Sequence, residues 1–121
     1  MKPSMPVPMA GDVWDVRFDP VVGAEQGGIR PALVISNNYF NGIQGYLYYV
    51  VPITGTDRGL EYQIRISGRQ GGLGKNSIVM CDQARSASVQ RFRVRRGVVS
   101  PSMLQSVQRM VGRLIDAYDV Y

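Results

Sequence analysis

Between Gly11 and Asp19 the chain alternates, with Trp14, Val16 and Phe18 on one parity and Asp15, Arg17 and Asp19 on the other. That period of two predicts a half-buried β-strand, ended by Pro20. A loop, Val21 to Gly28, leads into RPALVISN, a short apolar run that reads as a central strand starting after Pro31, because proline is tolerated at a strand's first position. NYFNG reads as a turn or a single helical turn. YLYYVVPI, Tyr46 to Ile53, is aromatic and β-branched and predicts a third strand. After the TGTDRG loop, EYQIRI predicts a fourth strand with Tyr62, Ile64 and Ile66 on one face. The glycine-rich SGRQGGLGKN separates it from a fifth, SIVMCDQ, and QRFRVRR predicts a short sixth.

The period changes after SPS. Leu104, Val107, Val111, Leu114, Ile115 and Tyr118 fall on one face at helical spacing. Two starts are open for this helix: Ser100 as cap with Pro101 in the first position, or Ser102 and Gln105 as a capping box. No internal repeat or change of composition divides the chain. The predicted fold is mainly β with a C-terminal α-helix: a small, twisted antiparallel sheet or partly closed barrel, with the helix over one face. MKPSMPVPMA has three prolines and one lysine but no continuous apolar core. It reads as a flexible tail over residues 1–10, ahead of a single domain at 11–121, rather than as a signal peptide.

Composition then narrows the function. At 121 residues, 45% hydrophobic and 19% charged, the chain is that of an ordinary globular domain with one core. Its apolar runs are too short to span a membrane, and a lone Cys81 precludes an intramolecular disulfide, which fits a cytoplasmic setting. Net charge is +5, and of the 14 basic residues all but Lys2 and Lys75 are arginine. Arginine's planar, permanently charged fork suits phosphate, so a polyanionic partner is expected. RFRVRR would set Arg91, Arg93 and Arg95 on one strand face, spaced to follow the phosphates of a single strand. An edge strand protected by charge is the other reading of the same run. The absence of histidine removes the commonest general acid–base group and metal ligand. The acids are scattered, and neither a metal nor a cofactor is expected.

Individual stretches sharpen this. GRQGGLGKN is not a phosphate loop, since Arg69 stands where that pattern needs glycine and Asn76 where it needs a hydroxyl. It reads as a mobile hairpin loop whose Arg69 and Lys75 can touch a polyanion. In MCDQAR, Asp82 shares parity with Ile78 and Met80. An acid continuing a buried face needs a partner, with Arg30 and Arg85 the obvious ones. Cys81, on the opposite parity, reads as packing. The loop VGAEQGGIRP is the richest in reactive groups, bringing Glu25, Gln26 and Arg30 close together ahead of a strand.

GDVWDVRFDPVVGAEQGGIRPALVIS, then VVPIT, then SIVMCDQAR resemble the MazF/PemK-like toxin family over Gly11 to Arg85. The blocks that carry the resemblance are G-x-E-Q-x-G-x-R-P, V-P-[IV]-T and C-D-Q. The resemblance implies a small SH3-like, CcdB/PemK-type, partly open antiparallel barrel, a homodimer, and sequence-specific, metal-independent cleavage of single-stranded RNA such as mRNA. Cleavage would proceed by attack of the 2′-OH on the adjacent phosphate, leaving 2′,3′-cyclic phosphate and 5′-OH ends. It also implies inhibition by a cognate MazE-like antitoxin that lays a disordered, acidic C-terminal segment across the groove, with operator DNA reached only through that antitoxin. Carried onto this chain, Arg30 would stabilise the phosphorane and Thr54 would donate a hydrogen bond to the scissile phosphate. The general base would be Glu25 or Asp82, with orientation of Arg30 the alternative role for Asp82. Gln26 and Gln83 would contact bases or shape the pocket, and Arg69, Lys75 and Arg85 would bind RNA. Ala24 and Met80 depart from members with histidine and arginine there. Target choice would lie in the loops at 56–59 and 67–76. Two other functions fit the same fold: a non-catalytic, gyrase-binding CcdB-like toxin, and a single-stranded RNA-binding barrel that leaves its RNA intact.

Overall fold

A computed structural model describes residues 7–20, 22–25 and 27–116. Seven strands and two helices follow one another: β1 (Asp12–Arg17), β2 (Ile29–Val34), α1 (Asn38–Gln44), β3 (Leu47–Thr54), β4 (Gln63–Ile66), β5 (Ser77–Met80), β6 (Arg85–Ser88), β7 (Phe92–Val98) and α2 (Pro101–Ile115). Short 3-10 turns at Cys81–Gln83 and Val89–Arg91 join β5 to β6 and β6 to β7. All the pairings are antiparallel, in the order β4-β5-β3-β2-β1-β7, with β6 beside β3. The sheet curls without closing, and α2 covers one side, as expected.

The central strands explain the continuous apolar runs. Side chains alternate across a sheet, so a strand buried on both faces must be apolar at every position. Val13, Leu33, Val51, Ile53 and Val79 pack under α2 against Val107. Their neighbours Trp14, Ala32, Val34, Tyr48 and Val50 pack on the other face with Phe18, Val89 and Phe92. β1 is therefore buried on both sides at Val13 and Trp14, and not half-buried as its alternation suggests. β3 has one unusual feature. Its first half pairs with β6 (Tyr48 opposite Ala87, Val50 opposite Arg85) and its end with β5 (Ile53 opposite Val79, Thr54 opposite Ile78). Pro52, which has no N–H to offer, sits where one partner gives way to the other. β6 was not expected, because RSAS carries no apolar alternation.

Several expectations are revised locally. β2 begins at Ile29, so Pro31 is its third residue, opposite Asp15. NYFNG lies within a full helix, α1, because Asn37 caps it through the Phe40 N–H (2.9 Å) and Gly45 ends it in the left-handed region. For α2, Ser100 is the cap, with its Oγ accepting from the Met103 N–H at 3.2 Å and Pro101 following. Of its expected apolar face, Leu104, Val107 and Val111 pack on the core. Leu114 and Ile115 are exposed, and Tyr118 lies outside the described residues. Residues 1–6 of the expected tail also lie outside. Its end is docked: Pro8 is fully buried, and the Met9 and Ala10 N–H groups donate to Asp12 and Asn38.

The arginine row in β7 does not form. Two irregularities in the β1–β7 register break the alternation, so Val94 is exposed beside Arg93. Arg91, in the preceding turn, donates to the Arg17 and Asp19 carbonyls at 3.0 and 2.6 Å. Arg95 reaches the buried Asp12 (3.3 Å), which also accepts from Trp14 Nε1 at 3.1 Å, and Arg96 reaches Asp15 at 3.2 Å. These arginines fasten β7 to β1.

The 67–76 loop is likewise not a free flap. Leu73 is buried in the core, Gln70 exchanges hydrogen bonds with Ser100 at the start of α2, and Gly71 donates to Val98. Gly71 and Gly72 lie against β7 with positive φ (61° and 66°); a Cβ on Gly71 would stand 2.5 Å from Val13, and one on Gly72 would overlap the Arg96 carbonyl. Gly72→Ala is therefore expected to cost about 2–4 kcal/mol in a denaturant titration, combining overpacking with left-handed strain. Gly74→Ala, also at positive φ but with open space around it, carries only the backbone part, about 1–2 kcal/mol.

Cys81 is buried at the end of β5, and burial, aided by the charge of Asp82, pushes its thiol up to about 12. Its proton is thus held in the folded state, and the resulting stabilisation is full below about pH 8.5, the ordinary thiol value, and lost as pH rises toward 12. In the native protein at pH 8 Cys81 is expected to resist a thiol-specific reagent that labels it promptly in guanidinium.

Candidate active site

The β1–β2 loop sets up the first wall of the site. Gly28, at φ 72°, donates its N–H to Asp19 Oδ1 at 2.8 Å, and Phe18 donates to the Gly28 carbonyl. Glu25 turns inward on its own loop, its Oε1 accepting from the Val22 N–H at 2.8 Å. Arg30 follows, second in β2 and half-buried. Its Nε donates to the Gly27 carbonyl at 3.0 Å, which fixes the plane of the guanidinium and leaves the terminal nitrogens for a ligand. Among the described residues no carboxylate lies within ion-pair distance of it.

Thr54 ends β3, directly opposite Ile78. Its Oγ1 accepts from the Thr56 N–H at 3.3 Å, so its own hydroxyl proton is free to be donated. Across from it, β5 stops at Met80 and the chain tightens into the Cys81–Gln83 turn. That turn corrects the expectation for Asp82. Cys81 takes the buried position, while Asp82 is exposed and pairs with neither Arg30 nor Arg85, since solvent and not an ion pair carries its charge.

These pieces meet in a cavity of about 400 Å³ lined by Arg30, Thr54, Asp82 and Gln83, with Ala24 and Met80 at its wall. Arg58, in the 56–59 loop but not singled out there, completes it together with Tyr62 and Gln63, which sequence reasoning missed. Arg58 is brought there by an Asp57 turn. Asp57 accepts from the Gly59 N–H (2.7 Å) and from Arg65 (3.1 Å), and these, the backbone bond first, hold its carboxyl below the usual range. Gln63 Oε1 is buried without a hydrogen-bond partner among the described residues.

A second cavity of about 550 Å³ lies on the other side of Arg30 and Thr54, which it shares with the first. Lys75 and Arg96 line it, and Arg96 too was not anticipated.

The remaining candidates are apart. Glu25 lines neither cavity, and Arg69 is exposed on its loop. Arg85 donates to its neighbour's carbonyl at Ser86, with its guanidinium 5.8 Å from the centre of the Phe18 ring. Gln26 lies outside the described residues. No three Cys, Asp or Glu side chains cluster as a metal site among the described residues, and no helix among them is long and apolar enough to cross a membrane.

Residues 9–115 match the family model for the PemK-like, MazF-like toxin of type II toxin–antitoxin systems. The chain is 33% identical over 110 residues to the endoribonuclease toxin MazF of Escherichia coli, covering 90% of this chain and 95% of that one. The crystal structure of MazF from Deinococcus radiodurans superposes with a TM-score of 0.79 at 32% identity, over 90% of this chain and 96% of that one. A MazE-MazF structure from the same organism gives 0.72 at 30% identity and the same coverage. With the family model spanning nearly all of the described fold, the chain belongs to the PemK-like, MazF-like toxins of type II toxin–antitoxin systems.

Proposed function

We propose that this protein is an endoribonuclease toxin that cuts single-stranded RNA, mRNA included, at short motifs without a metal, and that a cognate antitoxin restrains it. The observation that carries this reading is the meeting of Arg30, Thr54 and Asp82 around one cavity. Such a cavity suits a substrate that carries its own nucleophile. The 2′-OH gives its proton to a base and attacks the adjacent phosphorus. As the O2′–P bond forms and the P–O5′ bond breaks, the departing O5′ takes up a proton, leaving a 2′,3′-cyclic phosphate and a 5′-OH.

Extra negative charge develops on the phosphoryl oxygens along this path, so donors aimed there accelerate it. Arg30, held by the Gly27 carbonyl, presents its terminal N–H groups to that charge and does not itself lose a proton. The free Thr54 hydroxyl proton serves a non-bridging oxygen. Asp82 is the base that the geometry favours, because it lines the cavity while Glu25 is engaged in capping its own loop. Gln83, which lines the cavity beside Asp82, is the residue proposed to meet a base edge. The related MazE-MazF complexes support a MazE-like antitoxin as partner, and an acidic segment would complement the net charge of +5. Operator DNA would be met only through that antitoxin. A homodimer belongs to the same reading, as does a cytoplasmic location, where mRNA is found.

Two measurements test it. With long single-stranded RNA in EDTA, the wild type is expected to yield 5′-OH fragments, and Arg30→Ala to lose about 10²–10³ in kcat. Intact RNA that is nonetheless bound would leave a binding barrel, and no interaction with RNA would favour the gyrase-binding type. Asp82→Asn is expected to lower kcat by about 10²-fold or more, the usual worth of a general base. Glu25→Gln should change it by less than about 3-fold if the carboxylate's task is the loop cap. The reverse ranking would move the base to Glu25.

A further inference from the structure

The cavity on the far side of Arg30 and Thr54 has a charge balance that the cutting step does not use. Three cations, Arg30, Lys75 and Arg96, line it, and among the described residues no acid does. Arg96 is tied to Asp15 at 3.2 Å, but Arg30 and Lys75 have no carboxylate within ion-pair distance among the described residues. Like charges gathered around one concave space raise a positive potential there, which an anion would relieve.

The position of Lys75 is built by the fold. Its loop is pressed onto β7 by the close approach of Gly71 and Gly72, and Gly68 lies so near Lys75 that a Cβ there would stand 2.6 Å from the lysine backbone. At the other end, the ammonium reaches back over Gly55, the residue after Thr54. A Cβ on Gly55 would come within 3.2 Å of Lys75 Nζ. The missing side chain leaves the ammonium against the chain, one residue past Thr54. Arg96 enters from the bulged stretch of β7 and is steadied by Asp15. One loop and two strands thus bring these cations together, whereas Arg69, in the same loop as Lys75, stays outside.

We infer that this cavity is a phosphate subsite, which holds the RNA phosphodiester next to the one being cut. The shared residues determine the choice of ligand. Arg30 and Thr54 line both cavities, so a strand with its scissile phosphate on them passes directly into the second space, and the next charge along the strand is a phosphate. The inference rests on the endoribonuclease reading for the identity of the strand, but the anion site itself can be measured without cleavage.

The probe is a fluorescent, mixed-sequence oligoribonucleotide with every 2′-OH methylated, which can bind but not react. Lys75→Ala is expected to weaken its binding about tenfold and to lower the slope of log K against log salt by about 0.7, the loss of one phosphate contact on a single strand. Lys75→Arg should restore both. Gly55→Ala, which keeps the charge but displaces it, should fall between wild type and Lys75→Ala. Arg109→Ala, removing an exposed cation on α2 outside the cavity, is the comparison. On unblocked RNA, Lys75→Ala should raise KM and leave kcat unchanged.

The subsite is overturned if Lys75→Ala weakens the blocked strand no more than Arg109→Ala. It is also overturned if kcat falls while binding holds, or if Lys75→Ala loses binding of poly-L-glutamate but not of the blocked strand, which would make the cavity a seat for an acidic peptide. Should the wild type fail to cut unblocked RNA while the Lys75 effect on the blocked strand persists, the endoribonuclease reading falls and the anion cavity stands.

Discussion

One edge of β3 is shared by two partners, and the rest of the fold is arranged around that constraint. A strand can offer its edge groups only once, so β6 and β5 must divide it, the first taking Tyr48 to Val50 and the second Ile53 and Thr54. Proline is the residue least missed at the division, since it has no N–H to leave unpaired. The chain must then pass from β5 to β6 along the same edge within a few residues, and the Cys81–Gln83 turn does this. Placing Asp82 and Gln83 beside Thr54 is thus a by-product of how the sheet is paired. The far edge of β3 holds β2, which brings Arg30 to the same end of the sheet.

In a chain without histidine, arginine is divided between fastening the fold and lining the cavities. Some arginines are consumed as fasteners: Arg91 on carbonyls, Arg95 on Asp12 and Arg65 on Asp57. Arg30 is fastened through Nε alone, which leaves its fork charged, oriented and open. In the proposed cleavage that orientation would matter, because a preorganised donor costs no reorganisation when charge develops on the phosphate. A lysine in its place would be a mobile point charge with no second group to anchor.

The central strands were legible because burial on both faces leaves a continuous apolar run, and α2 because Leu104, Val107 and Val111 keep a period that no strand shares. Arg30, Thr54 and Asp82 were legible as a pattern of short blocks, although the turn that presents Asp82 was not, since parity arguments assume that a strand continues. β6 escaped notice because the short RSAS stretch, held to β3 by its backbone, carries no apolar alternation of its own. The β7 irregularities escaped because they arise in the pairing of β7 with β1, where Asp12 and Asp15 meet Arg95 and Arg96 from more than 80 residues away in sequence. Arg58, Tyr62, Gln63 and Arg96 reach the cavities only through loop closure and sheet curl, and residue spacing carries no information on either.

The glycines of the 67–76 loop have a further meaning for how such a protein changes over generations. Gly71 and Gly72 lie in contact with β7 where no larger residue fits, and Gly97 answers from the strand, with a Cβ there only 2.8 Å from Gly71. The loop is therefore divided between positions that can vary and positions that cannot. The Arg69 side chain is exposed and free to vary, while the glycine contact and the Asn76 Oδ1, which accepts from the Gly68 N–H at 3.0 Å, hold the backbone that presents it. Diversification of this surface is channelled into side-chain identity at a fixed backbone. A loop transplanted from a relative would keep its register here only if it brought that glycine pair with it.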